Sequence, residues 1–232
     1  MLLQVTARRE KTSKKPDKIS SIAVTVIGVA LNFRETVNQL AASFDNEPYK
    51  KPPVAPVLYL KTPNTWIKPG EAIHCPAGVT QLRMAGTLGI VLGRAVCRVT
   101  AENAVRYIGA FCVVNDVSIP HGSYYRPALR ERCADSFCAI GAATTVHGSL
   151  LEQDFEIDVL VNNVLRCNAR TSSLVRPISQ LIADISQFMT LQAGDILLVG
   201  EPDSAPLCGP GDKVRVEIPG VGSIENKVVA TA

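Results

Sequence analysis

The groups best suited to bind or transform a substrate are concentrated in residues 109–141. Residues 110–119 are apolar and rich in β-formers apart from Asn115, Asp116 and Ser118, so they predict a buried strand. A carboxylate in such a strand is costly to bury unless a cation or hydrogen bonds compensate it. Asp116 is therefore the residue around which we expect a functional site to form.

A histidine, two tyrosines and three arginines closely follow this strand. The guanidinium groups of Arg126, Arg130 and Arg132 present planar forks suited to carboxylates, which suggests a polyanionic organic acid as the ligand. The composition equally allows a solvated helix in which neighbouring acids compensate the arginines. His121 directly follows the strand of Asp116, so it is the histidine best placed for binding or proton transfer.

Several catalytic and nucleotide-binding patterns are missing from the sequence. There is no GxSxG motif, and His74, His121 and His147 show no spacing typical of a metal pair. The glycines of residues 83–93 lack both nucleotide-binding spacings and lie inside a predicted strand. A hydrolytic triad and a nucleotide-binding loop are therefore weakly supported.

The net charge of +3 over 232 residues is unevenly distributed, because residues 8–18 carry six basic and two acidic side chains. The rest of the chain is slightly acidic and shows no footprint for nucleic acid. Residues 1–20 are predicted to be a disordered basic leader, with an RNA-binding or membrane-binding arm as the alternative, and they lack the apolar core of a signal peptide. No apolar run reaches the roughly 20 residues of a membrane-spanning helix. We therefore expect neither nucleic acid nor membrane as a partner, and a single domain over residues 21–232.

Cysteine usage bears on the compartment of the protein. The chain has seven cysteines, an odd number, with no CxxC pair and several in apolar surroundings. This pattern predicts buried free thiols in a reducing compartment. The expected location is the cytoplasm.

The sequence periodicity predicts more strands than helices, and the two types do not alternate along the chain. Strands are predicted at 22–31, 57–61, 83–93, 110–119, 196–200, 213–218 and 223–229, with a hairpin in 156–166 that turns at Asn162 and Asn163. Helices are predicted at 33–44, 101–108 and 177–189, the last with an apolar face that includes Phe188 and Met189. The pattern favours an α+β fold in which a strand-rich sheet is rolled or sandwiched, with a few short helices.

Several long segments, in the right order, resemble the fumarylacetoacetate hydrolase superfamily over residues 24–230. They read NDVSIPHGSYYRPA, SFCAIG, FMTLQAGDILLVGEP and GDKVRVEIPGVGSIEN. The segments VALNFRETVNQ and YKKPPVAPVLYLKTPNTW further resemble the N-terminal half found in the isomerase/decarboxylase branch, which acts in homoprotocatechuate (4-hydroxyphenylacetate) breakdown. The resemblance implies a mixed β-sandwich roll. It also implies that Mg²⁺ or Mn²⁺, held by two glutamates and an aspartate, stabilises an enolate of a 2-oxo acid.

The implied metal site is incomplete when it is carried over position by position. The E-x-E ligand pair of the family falls on Ala85 and Thr87, and only the aspartate ligand survives, as Asp116. The lid histidine and glutamate of the family fall on Thr36 and Gln39. A hard cation requires about six oxygen ligands, so we expect no metal bound in the family manner. Asp116 should then pair with a cationic side chain.

The basic rim of the implied site is better preserved. Lys61 matches the lysine of the family's F-x-K segment, and Tyr124 and Arg126 match the YYRPA of this branch. Arg132 falls on the lysine of the K-S-F-D segment, and Glu201 falls on the threonine of the G-T-P segment. The resemblance implies catalytic roles for Arg132 and Lys61, and substrate binding by Tyr124, Arg126, His121 and Glu201.

Two hypotheses about function follow from the resemblance. In the first, the chain is an enzyme subunit acting on 5-oxopent-3-ene-1,2,5-tricarboxylate or 2-hydroxyhepta-2,4-diene-1,7-dioate, the small-molecule substrates implied for this branch. In the second, it is a degenerate, non-metal-binding subunit that supports a metal-competent family member. The related half is normally fused to a second half, whereas this chain ends at Ala232. We therefore expect either a homodimer or a complex with a second family subunit.

Overall fold

The computed structural model describes residues 24–145 and 153–231, so the predicted leader and His147 lie outside the described residues. The described residues form fourteen strands and five short α-helices. The strands are β1 Val26–Ala30, β2 Val57–Lys61, β3 Trp66–Ile67, β4 Ala72–Cys75, β5 Leu82–Leu92, β6 Ile108–Ser118, β7 Cys138–Ile140, β8 Thr144–Thr145, β9 Glu156–Val161, β10 Val164–Arg170, β11 Ile196–Leu198, β12 Leu207–Cys208, β13 Lys213–Ile218 and β14 Gly222–Ala230. The helices are α1 Arg34–Gln39, α2 Ala41–Phe44, α3 Ala101–Ala104, α4 Leu129–Arg132 and α5 Ile178–Ser186.

The larger sheet has nine strands and rolls up on itself. Seven of its strands follow the order β2-β1-β11-β5-β6-β7-β3, while β12 and β8 pair with β5 and β6. In a flat sheet, six spacings of about 4.8 Å would separate the edge strands β2 and β3 by about 29 Å. The connection between them comprises only residues 62–65, which span about 17 Å when fully extended. The sheet must therefore curl until its two edges approach, which creates an interior face.

The two faces of the roll have different surroundings. The interior holds a small apolar cluster that includes Cys112, Val114 and Leu198. The outer face packs against the second sheet, of order β10-β9-β13-β14-β4, and against α5 to form the main core. Gly86 marks this contact, because a Cβ there would lie 2.6 Å from a methyl carbon of Val159. Since side chains alternate along a strand, the neighbours of Gly86 on β5 point into the roll.

The strand-rich roll with a few short helices is confirmed, and most of the predicted strands occur within one to four residues of their expected ends. β2 and β13 have the predicted bounds. The predicted hairpin also forms, since Asn162 and Asn163 join β9 to β10 with φ angles of 50° and 64°. Asparagine tolerates this left-handed conformation better than most residues.

Three helix predictions are only partly right. The segment 33–44 divides into α1 and α2 at Leu40, and only the first part of 101–108 is α-helical before a 3-10 turn. Helix α5 ends at Ser186, so Phe188 is 68% exposed rather than part of a buried apolar face. Beyond Ser186 the chain turns to pair Leu191 with Val96, and the helical period no longer decides which side chains are buried.

All seven cysteines lie within the described residues and are free, and five of them are buried. The prediction of buried free thiols is therefore confirmed. Burial raises the pKa of Cys112 and of Cys208 to about 12, so these two thiols are protonated and unreactive at neutral pH. No α-helix in the described part of the chain is long and apolar enough to cross a membrane.

Candidate active site

Strand β2 carries two polar side chains into the roll. Side chains alternate along a strand, so Tyr59 and Lys61 point inward together while Leu60 between them is 50% exposed. The antiparallel pairing of β2 with β1 places Gly28 opposite Tyr59. A Cβ at this glycine would lie 2.1 Å from the tyrosine ring. The absence of a side chain at Gly28 therefore provides the space that the ring occupies.

Lys61 and Asp116 form a fully buried ion pair. The Asp116 Oδ1 lies 2.6 Å from the Lys61 Nζ. The same ammonium donates to the backbone carbonyls of Val117, Arg132 and Phe137 at 2.7, 2.9 and 2.9 Å. These oxygens come from β6, from α4 and from the segment before β7, so Lys61 links the edge strand β2 to the opposite side of the roll. The expectation that a cationic side chain compensates Asp116 is confirmed.

Three further residues extend this ion pair. The Tyr59 hydroxyl donates to Asp116 Oδ2, and the Arg132 guanidinium carbon lies 4.0 Å from the centre of the Tyr59 ring, within cation–π range. The Arg132 Nη1 lies 2.6 Å from Glu201 Oε1 and 3.9 Å from Asp116 Oδ2. We call Tyr59, Lys61, Asp116, Arg132 and Glu201 the buried ion cluster.

The buried ion cluster contains two cations and two carboxylates, so its net charge is zero, which is the condition under which charges can be buried. Burial, together with the negative charges of Asp116 and Glu201, raises the pKa of Tyr59 well above its ordinary value. Burial opposes the charge of Arg132, but the facing Glu201 and Asp116 outweigh it and raise the pKa of this guanidinium. At neutral pH Tyr59 therefore remains a hydrogen-bond donor and Arg132 remains charged.

A pocket of about 390 Å³ opens beside the buried ion cluster, with Tyr59 and Arg132 in its wall. Arg126 lies in the same wall and is exposed. Within the described residues, Arg126 has no carboxylate within 4 Å. Arg132, in contrast, is neutralised by Glu201. A ligand carboxylate would therefore find its unneutralised cation at Arg126.

His121 and Tyr124 line the same pocket with their rings in edge-to-face contact, 5.5 Å between centroids. Burial and the positive charge of Arg132 lower the pKa of His121, so its ring is neutral at pH 7. The Nδ1 lies 3.1 Å from the carbonyl oxygen of Ser123, which assigns the proton to Nδ1 and leaves Nε2 as an acceptor. Burial raises the pKa of Tyr124, so its hydroxyl is a donor.

The structure brings together seven of the residues singled out from the sequence. Lys61, Asp116, Arg132 and Glu201 belong to the buried ion cluster, and His121, Tyr124 and Arg126 line the pocket together with Arg132. Their functional roles stay predictions. Lys61 lies beneath the pocket rather than in its wall, and its ammonium is enclosed by protein oxygens. Neither Thr36, which is buried in α1, nor Gln39, which is exposed, lines the pocket.

Sequence reasoning missed Tyr59, which contacts both Asp116 and Arg132. A signal for it was present. Tyr59 lies two residues before Lys61 in a predicted strand, so the two side chains had to share a face. The role of Gly28 was beyond reach, because its pairing with Tyr59 depends on the register of β1 against β2.

The sequence matches the family described as fumarylacetoacetate (FAA) hydrolase C-terminal over residues 25–229. The chain belongs to the fumarylacetoacetate hydrolase family. The rolled, strand-rich architecture is thus a family fold, as the sequence motifs predicted.

Two relatives are informative about activity. The 4-hydroxyphenylacetate degradation bifunctional isomerase/decarboxylase of Escherichia coli is 36% identical over 205 residues, which cover 88% of this chain and 47% of that protein. The chain thus spans about half the length of this relative and of the homoprotocatechuate catabolism bifunctional isomerase/decarboxylase of Escherichia coli. The structure of 5-carboxymethyl-2-hydroxymuconate delta-isomerase from Mycobacterium smegmatis is 30% identical with a TM-score of 0.73, covering 89% of this chain and 77% of that one.

A more distant structural neighbour was solved with a metal bound. Fumarylpyruvate hydrolase from Pseudomonas aeruginosa was solved in complex with Mn²⁺ and pyruvate. It is 17% identical with a TM-score of 0.74, covering 92% of this chain and 94% of that one. At this identity the likeness shows a shared fold, and the metal must be tested against the residues of this chain.

The residues around Asp116 do not fit a divalent metal. Ala85, directly opposite Asp116 on β5, offers no ligand atom, and the buried Thr87 hydroxyl has no hydrogen-bond partner in the part of the chain that the structure describes. The Lys61 ammonium, 2.6 Å from the carboxylate, would repel a second cation at this position. Within the described residues, no group of three histidine, cysteine, aspartate or glutamate side chains converges as a metal site. The carboxylate of Asp116 is therefore neutralised by a cation of the protein itself.

Proposed function

We propose that the chain is a subunit of an isomerase/decarboxylase that acts on unsaturated 2-oxo or 2-hydroxy di- and tricarboxylic acids in 4-hydroxyphenylacetate breakdown. Its similarity to the Escherichia coli bifunctional isomerase/decarboxylase supports this substrate class. Within the assembly, this chain binds a ligand carboxylate and supports a separate family member that retains both glutamate ligands. The observation that supports this role is the buried Lys61–Asp116 ion pair beneath the pocket, at the position where the resemblance implies a metal.

The pocket accounts for the binding part of this proposal. Its volume of about 390 Å³ lies in the range of sites for small organic ligands. Arg126 supplies a charge to one carboxylate, and Tyr124 supplies a hydroxyl donor from the same wall. Arg132 contributes little net charge because Glu201 accompanies it. One end of a dicarboxylate would therefore bind at Arg126, and its apolar chain would lie against the aromatic wall.

A second candidate function is a metal-independent isomerase, and the neutral His121 in the pocket favours it. Conversion of 2-hydroxyhepta-2,4-diene-1,7-dioate to its 2-oxo isomer removes a proton from the 2-hydroxyl and adds one at C5, with no other change of atoms. The unprotonated Nε2 of His121 could accept the first proton, and the resulting imidazolium could return it. This step requires no oxidant and no co-reactant.

The experiment that separates these functions uses the chain alone and the chain mixed with a family member that retains the E-x-E pair. Bound Mg²⁺ and Mn²⁺ are measured by elemental analysis, and turnover of the dienedioate and of the tricarboxylate is followed by absorbance. We expect no stoichiometric metal and no decarboxylation from the chain alone, with activity in the mixture that exceeds that of the partner alone. Stoichiometric metal and full activity of this chain by itself would refute the supporting role.

Matched variants assign the remaining activity. Arg126→Ala should weaken the contribution of this chain, whereas Arg130→Ala, an exposed arginine outside the pocket wall, should not. If the chain alone isomerises the dienedioate and His121→Gln abolishes this, the second candidate is correct. Native mass spectrometry of the chain alone and of the mixture distinguishes a homodimer from a complex of two different subunits. The seven free cysteines support a cytoplasmic location, which fractionation would test.

A further inference from the structure

A second pocket, of about 310 Å³, lies at the opposite end of β5 and β6 from the buried ion cluster. Arg94, Arg98 and Arg106 converge on it from the segment that connects these two strands. Asp116 lies six residues along β6 from Ala110, which corresponds to about 20 Å at the rise of an extended strand. The two pockets are therefore separate sites.

The charge of this second pocket is not compensated by the described residues. Among the described residues, no carboxylate lies within 4 Å of any of its three arginines. Glu102, the acid closest in sequence, does not line the pocket. Thr100 and Asn103 add neutral donors, and the Asn103 amide reaches the Thr100 hydroxyl oxygen at 3.1 Å. The wall thus presents three cations and no anion.

The segment that carries two of these arginines is held in place by the core. Val96 and Leu191 exchange both backbone hydrogen bonds, at 2.9 and 3.0 Å. Arg98 adopts a left-handed φ of 50°, a backbone conformation that is unfavourable for most residues other than glycine and asparagine. Its amide donates to the carbonyl of Ser186 at 2.7 Å, which fixes the conformation.

The side chain of Arg94 is positioned by Tyr107, which also lines the pocket. Its guanidinium carbon lies 4.4 Å from the centre of the Tyr107 ring, in cation–π contact. The Arg94 guanidinium and the backbone of Arg98 are therefore positioned before a ligand arrives, and this lowers the ordering cost of binding.

We propose that this second pocket binds a compact polyanion that carries two or more carboxylate or phosphate groups. Guanidinium groups pair with both kinds of anion through two parallel hydrogen bonds. The concave shape and the convergence of three arginines suit a small molecule with several negative groups rather than an extended chain. The proposal is independent of the function of the first pocket, since the two pockets share no lining residue.

The proposal is tested by isothermal titration of the full chain at low ionic strength, with pyrophosphate and citrate as the two probes. We expect at least one probe to bind at about 1 mM or tighter, and the preferred probe identifies phosphate or carboxylate as the recognised group. Arg94→Ala and Arg106→Ala should each weaken binding by roughly tenfold, as expected for the loss of charge-assisted hydrogen bonds. Arg98→Lys, which keeps the charge but loses the fork, should weaken it less than Arg98→Ala.

Two controls make the outcome decisive. Arg166→Ala removes an exposed arginine on β10, and Arg130→Ala removes an exposed arginine that lines neither pocket. Both variants should leave binding unchanged. The proposal is overturned if neither probe binds at about 1 mM or tighter. It is also overturned if the pocket variants weaken binding no more than Arg130→Ala or Arg166→Ala does. Circular dichroism and thermal unfolding establish that each variant remains folded.

Discussion

The two ends of the β5–β6 pair both gather cationic side chains, but they treat the charge in opposite ways. At one end, Lys61 and Arg132 are buried and each faces a carboxylate at 2.6 Å. At the other end, Arg94, Arg98 and Arg106 are exposed, and no described carboxylate lies within 4 Å of them. The two ends have a similar number of these cations, but only those of the arginine pocket offer uncompensated positive charge to a ligand.

This difference shows how pairing controls the charge that a site can offer. A buried charge must be paired or it is strongly destabilising, so Asp116, which faces the apolar Ala85 across the sheet, requires a cation from the protein. Once Lys61 fills that need and binds three carbonyls as well, the cluster holds the roll together. Its charges are then largely unavailable for chemistry. Exposed arginines carry no such structural task and keep their charge for a ligand.

The largest expected effect tests whether the buried ion cluster is structural. Lys61→Met should lower the free energy of unfolding by about 3–5 kcal/mol, because it leaves a buried carboxylate without its partner. The double variant Lys61→Met with Asp116→Leu should recover part of this loss, since both charges are then removed. Urea unfolding followed by fluorescence measures the three free energies.

A surface lysine provides the matched control for this prediction. Lys213 lies 3.9 Å from Glu225, and its side chain is 62% exposed. Lys213→Met should change stability by less than about 1 kcal/mol. The buried ion cluster does not stabilise the roll if Lys61→Met lowers the free energy of unfolding no more than this control does. The same conclusion follows if the double variant is less stable than the single one.

A smaller effect should follow when one carboxylate is removed from the buried ion cluster, which leaves a cation less compensated, as in the arginine pocket. Glu201→Gln keeps the shape of the side chain but leaves Arg132 with one facing carboxylate fewer. We expect a loss of about 1–3 kcal/mol in unfolding free energy. Because Arg132 lines the first pocket, the affinity for heptane-1,7-dioate should rise roughly fivefold as its charge becomes available.

Calorimetry with the wild type and with Glu217→Gln completes this test. Glu217 faces Arg215 at 3.0 Å on the partly exposed surface of β13, so this variant removes an ion pair far less buried than that of Glu201. Glu217→Gln should change the free energy of unfolding by less than about 1 kcal/mol. It should leave the dicarboxylate affinity unchanged. An unchanged or weaker affinity of Glu201→Gln would show that Arg132 does not reach the ligand.

The elements of the fold were largely predictable because they depend on local patterns. The apolar run of β6, the alternation in β9 and β10 and the asparagine turn between them are properties of short segments. The ends of the helices were not predictable in the same way. Phe188 continues the apolar period of α5, but the helix ends at Ser186, and the chain beyond it turns so that Leu191 pairs with Val96. A periodic pattern contains no information about that long-range contact.

The candidate site was predictable in its residues and not in its geometry. Motif matches located Asp116, Lys61 and Arg132, and the missing ligands at Ala85 and Thr87 implied that Asp116 needed a cation. Which cation it took depended on how tightly the sheet curls, because β2 and β6 are not neighbours in the strand order. The uncompensated arginines of the second pocket were missed for a related reason: sequence shows where charges are, but only the structure shows which of them lack a partner.

The smallest expected effect is a pH dependence of ligand affinity that the first pocket should show through His121 and the second pocket should not. Burial and the charge of Arg132 lower the pKa of His121 below its ordinary 6.5, against the weaker opposing influence of Glu201 and Glu131. His121 therefore gains its proton only as the pH falls below that value, and the protonated ring adds a positive charge to the pocket wall. The affinity for heptane-1,7-dioate should then rise a few-fold as the pH is lowered from 7.5 to about 5.5, where ligand carboxylates are still largely ionised.

His121→Gln should remove this rise, whereas pyrophosphate binding at the arginine pocket, titrated in parallel, should show no dependence on His121. If the rise persists in His121→Gln, a different group in the first pocket titrates, and the neutral histidine assigned here is not the one that senses pH.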